Sequence, residues 1–70
     1  MLEQIRQYLK SSPFQPFEIH SSSGSVFRVE HPENAAIVKK WVVVATEGDN
    51  AIMLSPLHII GVEGLNPTLS

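Results

Sequence analysis

The 70 residues carry seven acidic and five basic side chains for a formal charge of -2, are 43% hydrophobic and 17% charged, and include no cysteine. A chain of this length builds one small core, is too apolar to stay disordered, and excludes both disulfide staples and cysteine-ligated metal. Its weak, scattered charge also gives little attraction for a phosphate backbone.

Leu2, Ile5 and Leu9 recur at spacings of three and four, with polar residues between them, and predict a short amphipathic helix over about 2–10. The same polar residues interrupt the apolar stretch that a signal peptide needs, and no later segment approaches the length of a membrane span, so a soluble cytoplasmic protein is expected. Ser11-Ser12-Pro13 ends the helix, because the residue before proline is pushed out of the helical region. Phe14-Gln15-Pro16-Phe17 reads as an extended connector whose two rings can pin the helix to a sheet.

From Phe17 the period becomes two. Phe17 and Ile19 face inward and Glu18 and His20 outward; Ser21 to Ser25 is turn chemistry around Gly24; Phe27 and Val29 then face inward, with Arg28 and Glu30 outward. The two runs predict a hairpin. His31-Pro32-Glu33-Asn34 interrupts the ladder with a bend or bulge, since proline removes a backbone donor. Ala35-Ala36-Ile37-Val38 follows as a short strand, Lys39-Lys40 as a turn, Trp41 to Thr46 as a strand, and Glu47-Gly48-Asp49-Asn50 as the clearest turn of the chain. Ala51 to Leu54 is a further strand, Ser55-Pro56-Leu57-His58 suits one 3₁₀ turn, and Ile59 to Glu63 closes the set. A single domain over 1–64 with a loosely held tail over 65–70 is expected.

One helix followed by about five short strands, with a helical turn before the last, predicts a mainly β domain, an SH3-like or Sm-like strongly bent sheet or small barrel. The likeness to Sm-like proteins lies in element order; the RNA-contacting motifs of that family are not recognisable. The stretch from Pro13-Phe14-Gln15-Pro16-Phe17-Glu18-Ile19-His20 through Gly24 to Phe27-Arg28-Val29-Glu30-His31-Pro32-Glu33 resembles a family of small uncharacterised bacterial proteins with the pattern PF-x-PF-x-I-H, G-x-x-F-x-V-x-HPE. That resemblance implies no activity. In the first turn the family tends to carry Asp-Gly, where this chain has Ser23-Gly24.

Few residues offer chemistry. His20, His31 and His58 lack the spacing of a helical metal motif and read as polar surface or loop residues, so neither a metal nor a cofactor is expected. The serines sit in turns and termini, with no nucleophile elbow or phosphate-binding glycine loop around them. An enzyme would need a deep pocket holding one of the histidines beside a carboxylate such as Glu18 or Glu33. Lys39, Lys40 and Trp41 form the single cluster suited to single-stranded RNA, the alternative functional reading.

The informative run is Trp41-Val42-Val43-Val44-Ala45, which is apolar on both faces of a strand where a one-sided sheet alternates with polar residues. Two loop lengths at Glu47 to Asn50 leave the register open, because a two-residue loop sets Val43 opposite Leu54 and Val44 opposite Met53, whereas a three-residue loop shifts every partner. A bulky tryptophan is seldom fully enclosed, which favours Val42 and Val44 inside and Trp41 and Val43 outside. Either the N-terminal helix covers that outer patch, or a protein partner or second copy does. The resulting expectation is a non-enzymatic interaction module with Trp41, Val43 and Met53 as candidate interface residues, which binds a protein partner or forms a homo-oligomer through the patch and the exposed edge of its sheet.

Overall fold

A computed structural model describes residues 2–48 and 50–65. The helix α1 spans Leu2–Lys10, and the strands are β1 (Phe17–Ser21), β2 (Val26–Val29), β3 (Ala35–Val38), β4 (Trp41–Ala45), β5 (Ala51–Leu54) and β6 (Ile59–Gly64). Two 3₁₀ turns complete the elements among the described residues, at Pro32–Asn34 where the sequence predicts a bend and at Pro56–His58 as the sequence predicts. In the second, the Ser55 hydroxyl accepts a hydrogen bond from the Leu57 amide and caps the turn.

Among the described residues the strands number six rather than five, and they pair as two three-stranded antiparallel sheets, β2-β1-β6 and β3-β4-β5, instead of closing into one barrel. The division falls at His31 to Asn34. Pro32 starts a 3₁₀ turn there, so the continuous bent strand that could have joined the two sheets is broken and its halves serve different sheets.

One core lies between the two inner faces. Phe17, Ile19 and Val29 from the first sheet, Ala35, Val42 and Val44 from the second, Ile59 at the start of β6 and Ile5 of the helix form a single buried cluster. Helix α1 is too short to persist alone and is held by this cluster through Ile5, with Leu2, Tyr8 and Leu9 partly buried around it. The Phe17 ring stacks on Tyr8 at a centroid distance of 4.9 Å and meets Phe14 edge-on at 6.2 Å, so the connector fixes the helix to β1 as its two phenylalanines suggest. Tyr8 was the unforeseen third ring. Its space comes from Gly64, which pairs with Phe17 across the sheet and whose missing Cβ would lie 2.9 Å from the Tyr8 hydroxyl oxygen.

The tail expected over 65–70 falls outside the described residues except for Leu65, whose amide donates to the Pro16 carbonyl at 2.8 Å. Among the described residues, no helix is long and apolar enough to cross a membrane.

Candidate functional site

The register of β4 decides which of its valines belong to the core. Val38 pairs with Trp41 on one side, and Val43 pairs with Met53 and Ala45 with Ala51 on the other. The Thr46 amide donates to the Asn50 carbonyl at 2.8 Å, so three residues, 47–49, separate the paired ends; the longer of the two loops is the one formed. Val42 and Val44 therefore point inward and are 0% and 1% exposed, together with Ala35, Ile37, Ile52 and Leu54 from the flanking strands.

The opposite face follows by alternation. Its strand positions are Ala36 and Val38 on β3, Trp41, Val43 and Ala45 on β4, and Ala51 and Met53 on β5, without a polar side chain among them. Val38 is 52% exposed, Trp41 39% and Met53 59%. The N-terminal helix does not cover this face, because its apolar stripe is spent on the inner core. Thus the three residues read from the sequence, Trp41, Val43 and Met53, are brought onto one surface. Val38 belongs with them. Its signal was the alternation of Ala36 and Val38 with Ala35 and Ile37, hidden because all of these residues are apolar.

The outer face of the other sheet is mostly polar, with the half-exposed Val26, opposite His20, as an apolar exception. Arg28, Glu18 and Glu63 lie directly across from one another on β2, β1 and β6. His20 Nε2 is 3.6 Å from both Glu18 Oε1 and Glu63 Oε1, and the Arg28 guanidinium is 3.4 Å from Glu18 Oε2 and 3.8 Å from Glu30. Two carboxylates facing each other across a ladder repel, and the Arg28 guanidinium beside Glu18 offsets part of that repulsion. Glu18, His20 and Glu63 place ligand atoms within 4.8 Å of one another, the arrangement among the described residues with the spacing to share a cation. The sequence reading had placed His20 on this solvent face but missed its meeting with Glu63, a contact made by strand pairing between residues distant in the chain. His31 lies at the start of the first 3₁₀ turn and His58 at the end of the second, and both are exposed.

Open grooves among the described residues include two of note. One, of about 370 Å³, runs between α1 and β6 along Gln4, Gln7, Tyr8, Ser11, Gln15 and Val62. The other, of about 570 Å³, lies between β2 and the end of β4, bounded by Arg28, Glu30 and Glu47. Neither of these two grooves is lined by a histidine.

Lys39 and Lys40 make the two-residue turn between β3 and β4, next to Trp41, and are fully on the surface. Lys39 holds φ at 57°, the left-handed region that a glycine would occupy at less cost. At the other end of β4 lies Glu47, also exposed. Opposite charges therefore lie beyond the two ends of β4, the lysines before it and Glu47, which also borders the groove beside β2, after it.

Comparison of the chain with family models, with curated proteins and with solved structures returned no match.

Proposed function

We propose that the protein is a non-enzymatic interaction module that associates with itself through the apolar outer face of β3-β4-β5. The observation that carries this reading is the contrast between its two sheets. One outer face bears Glu18, His20, Arg28 and Glu63, as a solvated sheet should, while the other presents apolar side chains at every strand position. Among the described residues nothing covers Trp41 and Met53 on this face, and covering it with a like surface removes both copies' apolar area together.

Three strands about 4.8 Å apart and about 3.3 Å per residue along each make a face of roughly 14 by 17 Å, or on the order of 250 Å² in projection. A standard stable interface buries about 800 Å² per partner. The association is accordingly weak and depends on concentration. Light scattering and native mass spectrometry from low to high micromolar protein test it: a rising mass is expected, and a monomer throughout overturns the reading.

An SH3-like or Sm-like arrangement is the fold description that accompanies this function, supported by the leading helix and the 3₁₀ turn before the last strand. A second reading, single-stranded RNA binding, is favoured by one observation: Lys39 and Lys40 sit immediately beside the partly exposed Trp41 ring, pairing cationic and stacking groups. A salt-dependent mobility shift with labelled RNA is its test, and lack of binding at low ionic strength removes it.

A further inference from the structure

We infer that the second copy seats on this face in one orientation, as a closed two-fold dimer with the β4 strands of the two copies antiparallel and their sheets stacked face to face. The inference rests on the self-association proposed above and adds its geometry. Stacked sheets lie about 10 Å apart with strand directions within about 30° of each other, so a two-fold axis in the interface plane can run either along the strands or across them. The flanking charges distinguish these choices. With the axis along the strands, Lys39 and Lys40 of one copy lie over Lys39 and Lys40 of the other, and Glu47 lies over Glu47. With the axis across the strands, each lysine pair lies over a Glu47, and both ends of the interface become attractive.

Among the described residues, neither lysine nor Glu47 is held by an ion pair within its own chain, which leaves these groups to act between copies. The apolar centre carries no charge to oppose either orientation, so the ends decide. Because the same patch serves both copies, the interface is used up in the dimer and does not propagate, unlike strand addition at the sheet edges.

Sedimentation velocity on the full chain tests the geometry, with circular dichroism confirming that each variant is folded. The double variant Lys39→Glu/Lys40→Glu and the single variant Glu47→Lys should each raise the dimer dissociation constant by about tenfold at low salt, since each replaces attraction by repulsion at both ends. Combining all three substitutions should restore the wild-type constant to within about threefold, because the end charges are merely exchanged. If wild type dimerises but the separate reversals leave its constant unchanged, the antiparallel geometry is overturned while self-association stands. Growth beyond the dimer also overturns the closed geometry. Wild type that stays monomeric removes both the geometry and the reading beneath it.

Discussion

Val42, Val43 and Val44 provide a controlled comparison, since three identical side chains in successive positions of one strand differ only in the face they occupy. Truncation to alanine removes the same two methyl groups and changes strand propensity equally at each site. At Val42 and Val44, which are 0% and 1% exposed, the loss combines transfer free energy with the cavity left behind, and about 2.5 kcal/mol is expected for each. At Val43 the methyls face Ala36 and Met53 on the outer surface, and below about 1 kcal/mol is expected. A domain of this size has a total stability of roughly 4–10 kcal/mol, so the inward truncations consume a large share of it. They should lower the melting temperature by about 10–20 °C, against less than about 8 °C for Val43→Ala. Urea unfolding followed by the fluorescence of Trp41, the one tryptophan, measures all three variants, at low micromolar protein so that association does not contribute. Equal losses at Val42 and Val43 would refute the assignment of faces, and with it the bare apolar surface.

Two further substitutions probe local geometry. Gly64→Ala forces a methyl group to within 2.9 Å of the Tyr8 hydroxyl oxygen and 3.1 Å of its Cε1, against a ring already stacked on Phe17. A net destabilisation of about 1 kcal/mol is expected, and denaturant titration should show it shrinking in a Tyr8→Leu background; an undiminished loss there would disconnect Gly64 from Tyr8. Lys39→Gly relieves a left-handed backbone that costs a lysine roughly 1–2 kcal/mol while giving back about 0.5–1 kcal/mol in chain entropy, for a net gain near 0.5 kcal/mol. A lower thermal midpoint for Lys39→Gly would contradict the positive φ assigned to the turn.

Much of the fold was legible because local signals agreed with one another. The helical stripe of Leu2, Ile5 and Leu9, the alternation through Phe17 to Val29, and the proline-led turn after Ser55 each specify an element with little help from elsewhere. The number of sheets was less accessible. His31-Pro32-Glu33-Asn34 announces an interruption, but whether the strands on its two sides remain in one bent sheet or divide between two depends on pairing with β1 and β4, which are separate segments of chain.

The candidate face shows the same boundary between local and long-range information. A wholly apolar strand established that more than one surface would need covering, whichever register formed, because alternation guarantees two sides. Composition could not tell which side: from Ala35 to Ala45, interrupted only by Lys39 and Lys40, no polar residue marks the solvent, so the usual cue is missing. That choice was made by the three-residue connection to β5, by the inner face of the other sheet, and by a helix that seats Ile5 in the core and leaves the far side bare. Likewise, the charged row of Arg28, Glu18 and Glu63 exists only once β6 has paired with β1. Sequence set the elements and the excess of apolar surface; tertiary pairing assigned that excess to a face, because a strand's neighbours, not its own residues, fix which of its two sides meets water.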